Sequence, residues 1–411
     1  MTLFYKLLML SSFLALPACT HPNLPRPIAP AFVTINAEGQ AAITKNSKLL
    51  ARRLALQDAI RHAAMQSGAM VKSQTRLNQG SVMFDTFSMR VSAAVNQSQI
   101  LEEWQENNIY HVRAKVTLSN AETCQPQYRK RIIATGFPLV HPEQLSGSET
   151  QDLYGGIPRE IMHQLMESQD FIGFNHTHTS LYEQPDSAPN LGEDWPYTFS
   201  KVMQVANDEG GQLVLSGVIR DLKLDLPNDV LGNNWMALAK SLARSLSARR
   251  SVGVDIYVHD GFTGALLTQY RYTDALSGDV WIPSDYTVGS IGFKETLLGA
   301  KISQIIAITS ADLRKALSCY PFTTRIIKVD GNKIFIDAGA QENLNIGDQL
   351  VVYAQTSEEL HLEGNHQFVG RDNQAMGVLT LREIRPRYAI GELEVPATDL
   401  GVQEGDWVKS W

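Results

Sequence analysis

The sequence predicts an α+β protein of several domains: a small α+β amino-terminal domain, a mixed α/β middle domain and a small all-β, barrel-like carboxy-terminal domain. Three observations carry this. At 411 residues the chain is longer than one typical hydrophobic core organises, so two to four domains are expected. Its hydrophobic period changes along the chain, from one helix among strands, to strands alternating with helices, to short strands alone after Phe322. Cys124 and Cys319 stand close to the two places where the pattern changes. The expected divisions are a signal peptide at 1–18, a tether at 19–31, and domains at 32–123, 124–320 and 321–411.

The amino terminus reads as an export signal, with Lys6, an apolar run from Leu7 to Leu16, and then Leu16-Pro17-Ala18-Cys19. The run is too short to span a membrane as a helix. Leu16 and Ala18 fit a bacterial lipobox, although Pro17 between them is less usual. On this reading Cys19 becomes the lipid-bearing first residue, and Thr20 after it directs the chain to the outer membrane. An ordinary cleaved signal or an uncleaved anchor are the alternatives, and all three place the chain beyond the cytoplasm. Four prolines between His21 and Pro30 then favour an extended tether.

Folded structure is expected from the strand Phe32-Val33-Thr34-Ile35, ended by Glu38-Gly39. From Lys45 to about Gly68, Leu49, Leu56, Ile60 and Ala63 recur at helical spacing. Val82 to Val95 and Ile100 to Glu106 are candidate strands. Asn107-Asn108 marks a turn, and Val112, Ala114, Val116 and Leu118 alternate with period two. Cys124-Gln-Pro126 reads as the exit from this unit.

The middle segment opens on the strand Arg131 to Phe137. A helix follows at Gly155-Gly156-Ile-Pro158, with Pro158 suited to a first turn. Phe171 to Phe174 is the returning strand, Glu183 to Pro196 a surface loop, Tyr197 to Asp208 a helix, and Leu213 to Ile219 a buried strand. Trp235 to Ser247 is expected to be helical. Val252 to Val258, the turn Asp260 to Gly264 and the return Leu266 to Tyr272 form the clearest hairpin. A long helix from Phe293 to Ser318 closes the segment, giving an open mixed sheet covered by helices.

After Phe322 come Thr324 to Val329, Asp330-Gly331, Lys333 to Asp337 and Gln349 to Tyr353, a pattern that suits a compact antiparallel barrel. The polar stretch from Gln355 to Asn373 is expected to be a mobile loop. Strands near Met376 to Ile384, Ile390 to Val395 and Asp406 to Lys409 complete the barrel.

Net charge of −7 and the lack of a basic block argue against nucleic-acid binding. With Cys19 lipidated, Cys124 and Cys319 remain as a possible disulfide clasping the ends of the middle segment. Such a bridge stabilises the fold by about 3–5 kcal/mol in the chain-entropy model. Two free thiols are the alternative. The chain carries no phosphate-binding, dinucleotide, zinc-protease or nucleophile-elbow motif. His176 and His178 could lie on one face of a strand and bind a metal with His163, but Asn175 and the neighbouring threonines make a polar surface loop the better account. Glu358-Glu359, or Asp221 with Asp225, are more simply exposed charges than a hydrolytic pair. Trp195, Trp235 and Trp281 more simply anchor loops than line a sugar groove. No catalytic residue, metal or cofactor is therefore expected.

Several segments taken together resemble the flagellar assembly protein T family of bacteria with sodium-driven polar flagella. They are Glu38-Gly-Gln with the following helix and Ala69-Met70-Val71; Arg129-Lys-Arg-Ile-Ile-Ala-Thr-Gly-Phe137; Val254 to Ala265; Lys333 to Ala340; and Leu344 to Leu350. The resemblance implies a non-enzymatic, three-domain periplasmic protein whose middle domain is similar to the amino-terminal domain of the translocation protein TolB. It further implies a place in the H ring of the flagellar basal body, outside the P and L rings, with support for the T ring and the stator units it holds. Family members are generally soluble, so the lipid anchor at Cys19 is a departure. An outer-membrane lipoprotein of envelope assembly or secretion, unrelated to flagella, is the main alternative.

Overall fold

A computed structural model describes residues 32–44, 47–66, 95–119, 126–189, 201–225, 248–318, 320–361 and 368–410. The expected signal, tether and 235–247 helix lie outside these residues, as does the expected strand at 82–95 apart from Val95. The first described element, β1 (Phe32–Ala42), joins β2 (Val95–Glu106) and β3 (Ile109–Ser119) in an antiparallel sheet of order β1-β3-β2. One face is covered by α1 (Lys48–Gln66), whose small side chains Ala55, Ala59 and Ala63 are buried against Ala37, Val112, Ala114 and Val116. Strand β1 does not stop at Gly39 as expected but continues to Ala42. The glycine marks a close approach: a Cβ there would lie 2.1 Å from Ala59 N and 2.2 Å from Ala55 O, so its absence lets helix and strand backbones touch. Asn107 and Asn108 both adopt positive φ (49° and 64°), the conformation a two-residue hairpin turn requires.

The middle sheet has parallel strands β4 (Lys130–Thr135), β5 (Phe171–His176) and β6 (Leu213–Asp221), with β4 central. β8 (Arg249–Asp260) runs antiparallel to β6 and carries β9 (Leu266–Ser277) and, beside Arg249 and Arg250, the short β7 (Leu224–Asp225). Helices α2 (Leu153–Glu167) and α5 (Leu297–Ser318) share a core with Ile132, Leu213, Leu215, Val254 and Ile256. On the opposite face α3 (Lys201–Asp208) packs Val202, Val205 and Ala206 with Ile133, Val214, Val218 and Tyr257. Covering both faces explains why β6 reads as a continuous apolar run rather than an alternation.

Two helical expectations need correction. Pro158 sits inside α2, because the helix begins at Leu153 rather than at the glycines. The carbonyl four residues earlier, on Tyr154, loses its intrahelical donor and instead accepts from Phe137 N at 2.8 Å, which offsets the usual cost of an interior proline. The long closing helix is broken into α4 (Ile291–Glu295) and α5. Thr296 takes an extended ψ of 149°, and its Oγ1 accepts from Gly299 N at 3.0 Å. A capping hydroxyl has displaced helix continuation.

The remaining strands close into a barrel of order β10-β11-β14-β13-β12-β15, formed by β10 (Thr323–Asp330), β11 (Lys333–Ile336), β12 (Gln349–His361), β13 (Phe368–Ile384), β14 (Ala389–Leu393) and β15 (Trp407–Ser410). A short helix, α6 (Ala397–Leu400), lies between the last two strands. Ile326, Ile334, Ile336, Leu350, Val352, Leu379, Leu381 and Val408 fill the interior. The polar stretch expected to be a mobile loop continues the β12–β13 ladder, with Glu359 opposite Arg371 and His361 opposite Phe368. Ladder hydrogen bonds use backbone groups, so a polar sequence can extend a ribbon without apolar alternation. The observed architecture is therefore α+β and multidomain, with three separate strand systems.

The amino-terminal helix also touches the carboxy-terminal barrel. Leu50 is buried with Val351 and Val378, while Glu394 Oε2 accepts from Leu49 N at 2.9 Å. One face of α1 thus serves its own sheet and another the barrel, which brings the two ends of the described chain together.

Candidate functional site

The residues singled out from the sequence are only partly brought together. Strand β5 ends at His176, and Asn175 Oδ1 accepts from Thr177 N and Oγ1 at 3.1 and 2.8 Å. Thr179 N donates to His176 O at 3.2 Å, completing a turn. The rings of His176 and His178 consequently lie 4.2 Å apart with planes at 52°. They meet across a turn, not along a strand face. His163 belongs to α2, where its Nδ1 lies 3.4 Å from Glu160 Oε1. Asp221 Oδ1 accepts from Lys223 N, and Asp225 pairs with the Lys223 ammonium, so both carboxylates serve the β6–β7 connection. Glu358 and Glu359 fall within β12. Trp281 is 38% exposed, and Trp195 and Trp235 lie outside the described residues.

Cys19, Cys124 and Cys319 also lie outside the described residues. The described chain resumes close to both members of the expected disulfide, and there the Tyr128 and Phe322 rings meet at a tilt of 49° with centroids 5.4 Å apart.

A buried polar clasp joins the middle sheet to the barrel. Arg131 Nε donates to Glu342 Oε1 at 2.9 Å, and its Nη1 donates to Asp337 Oδ2 at 2.8 Å and Gly210 O at 3.3 Å. Glu342 is fully buried, and its second carboxylate oxygen accepts from Gly339 N at 2.7 Å. Arg129 N donates to Glu342 O at 3.1 Å, while Arg129 Nη2 reaches Phe171 O at 3.0 Å. Gln212 bridges the same seam by donating to Pro321 O and accepting from Thr323 N. Between these groups, Phe262 and Arg325 help enclose a cavity of about 10 Å³, no larger than one water needs.

Two further clusters brace the middle body. Fully buried Arg250 pairs with Glu149 and donates to the carbonyls of Leu222 and Gln144. Burial pushes the Asp255 carboxyl up, but Arg271 and Arg220 outweigh that and hold it below the usual range. Burial lowers Lys130 to about 8, against a smaller opposing effect of Asp170, and pushes His259 down to about 4. His259 Nδ1 lies 3.4 Å from Ser216 Oγ, which is 3.1 Å from Tyr182 Oη. The Arg131, Arg250 and Asp255 clusters tie each carboxylate to an arginine, an arrangement suited to joining elements. The clasp has little local signal, since Arg131 stands at the head of the apolar run Ile132 to Phe137 and its carboxylate partners lie more than 200 positions away.

Two family models match the chain: the N-terminal domain of flagellar assembly protein T over residues 33–120, and the middle domain of the same protein over residues 122–288. The chain belongs to the flagellar assembly protein T family. Its role is accordingly in flagellar assembly, with association with the basal body. No curated protein matches the chain. Among solved structures, hypothetical protein CT253 from Chlamydia trachomatis is similar over 46% of this chain and 98% of its own, at 15% identity and TM-score 0.30. The PelC dodecamer from Paraburkholderia phytofirmans is similar over 55% of this chain and 98% of its own, at 12% identity and TM-score 0.24. Lipoprotein GNA1162 from Neisseria meningitidis is similar over 44% of this chain and 99% of its own, at 13% identity and TM-score 0.23. Among the described residues no helix is long and apolar enough to cross a membrane.

Proposed function

We propose that this member of the flagellar assembly protein T family is a non-enzymatic structural component of the basal-body H ring. In this reading it works in the periplasm, supports formation of the outer ring and the T ring with its stator units, and is needed for motility. The observation that carries the reading is the match to two consecutive family domains across residues 33–288. The buried Arg131 clasp supports it as well, because a ring component must keep a fixed relation between the surfaces it presents to neighbours. Cys19 in its lipobox context adds an outer-membrane anchor. Residues 32–123, 124–320 and 321–411 act as the three domains, and a Cys124–Cys319 disulfide closes the middle one.

The test is electron microscopy of basal bodies from the parent, a clean deletion and a complemented strain. Loss of the outer disc with poor flagellation, both restored by complementation, is the expected result. Intact discs and normal swimming in the deletion reject the ring role and leave an envelope lipoprotein, the reading that the Cys19 context favours independently.

A further inference from the structure

We propose that His176 and His178 form an open binding site for a divalent transition-metal ion of the imidazole-seeking class, Zn²⁺ or Cu²⁺, with Glu209 positioning His176. Three observations converge on it. The first is the approach of the two rings, 4.2 Å between centroids. An ion held about 2.1 Å from one nitrogen of each ring, at bond angles near 90–110°, sets the centroids roughly 4.5–5 Å apart. To admit it the rings must separate by less than about 1 Å and turn so that a nitrogen of each faces the ion, and His178 is exposed at the surface, so it can do both.

The second observation is the partner of His176. Its Nδ1 lies 3.0 Å from Glu209 Oε1, one residue beyond the end of α3. A carboxylate there accepts the Nδ1 proton, fixes the tautomer and leaves the Nε2 lone pair available, the outer-shell arrangement that metal-ligating histidines usually have. The third is how the turn is held. Asn175 and the Thr179-to-His176 hydrogen bond set the backbone of both histidines, so little ordering is left for an ion to impose. Among the described residues no three His, Cys, Asp or Glu side chains converge as a finished metal cage. The site is accordingly a two-histidine one, with solvent completing the coordination, and harder ions such as Mg²⁺ or Ca²⁺ are excluded by their preference for oxygen.

The experiment uses the untagged mature chain and the metal alone. Calorimetric titration with Zn²⁺, and electron paramagnetic resonance with Cu²⁺, are run on wild type, His176→Ala, His178→Ala, Glu209→Gln and His163→Ala, with circular dichroism confirming the fold. The expected result is one saturable site with nitrogen coupling to Cu²⁺, lost in both His176→Ala and His178→Ala and retained in His163→Ala. Glu209→Gln weakens binding about 10–100-fold. Because His178 is exposed, its variant keeps the native fold and decides the matter even if His176→Ala unfolds. Unchanged binding in His178→Ala, or no saturable binding to wild type, overturns the site. Wild-type affinity in Glu209→Gln overturns the positioning role.

Discussion

Replacing Arg131 by alanine removes the keystone of the seam between the middle sheet and the barrel. Glu342 is fully buried and, among the described residues, retains the Gly339 amide alone as a side-chain partner, so its carboxylate is left largely uncompensated. Removing one member of a buried ion pair costs about 3–5 kcal/mol. The Asp337 bond adds little to this, because that carboxylate is a third exposed and already solvated. Glu342→Gln alone keeps an oxygen for Gly339 and leaves Arg131 with Asp337, so a smaller loss of about 1–3 kcal/mol is expected. The double variant Arg131→Met/Glu342→Gln removes both charges together and should lose less than the sum of Arg131→Met and Glu342→Gln by at least about 1 kcal/mol. Urea unfolding is followed by far-ultraviolet circular dichroism and by tryptophan fluorescence, to which buried Trp407 in the barrel contributes. Wild type should show coincident transitions, and Arg131→Ala should separate them as barrel and middle body lose their joint. A loss below about 1 kcal/mol, or strict additivity in the cycle, refutes the reasoning.

Burial holds His259 neutral down to about pH 4, whereas the unfolded chain protonates near 6.5. Its contribution to stability is therefore complete above about pH 6.5 and declines as pH falls toward 4, by about 3 kcal/mol in all, and His259→Gln should flatten that part of the urea-midpoint profile. Gly39→Ala should destabilise by about 1–3 kcal/mol or more, since the new Cβ meets the backbone of Ala59 and Ala55, neither of which can rotate away; thermal unfolding of the full chain measures this. Mass spectrometry of the unreduced protein should find the Cys124 and Cys319 peptides linked, and Cys319→Ser should lower stability by about 3–5 kcal/mol under oxidising conditions but not after reduction.

The sequence made the repeating local signals legible. The helix α1, the Asn107-Asn108 turn, the alternation through β3 and β8, and the loss of helical period after Phe322 each depend on neighbours within a few residues, and each has its counterpart in the fold, although α1 buries Ala55, Ala59 and Ala63 against its sheet while Leu56 and Ile60 are only half-buried. Local signals failed where something distant decided the outcome. Gly39 looked like a strand end because glycine is a poor strand former, yet it is kept for the helix that crosses it. Pro158 looked like a helix start, yet Phe137 supplies the hydrogen bond its position needs. The β12–β13 ribbon looked like a loop because its residues are polar.

The candidate sites were less legible than the elements. His176 and His178 were visible as a close pair, but Glu209, 33 positions from His176, was not. Residues 33–288 by themselves identify the family, since order and combination of segments survive in the chain as written. What tertiary structure alone decided is where each buried or bridging carboxylate finds its partner: Glu342 at Arg131 across 211 positions, Glu149 at Arg250 across 101, and Glu394 of the barrel at the backbone amide of Leu49 in the first helix across 345. Periodicity and turn chemistry act through bonds and near neighbours, so they can be read along the chain. A buried charge is selected by the partner that folding brings to it, and that partner's place depends on the packing of the whole molecule.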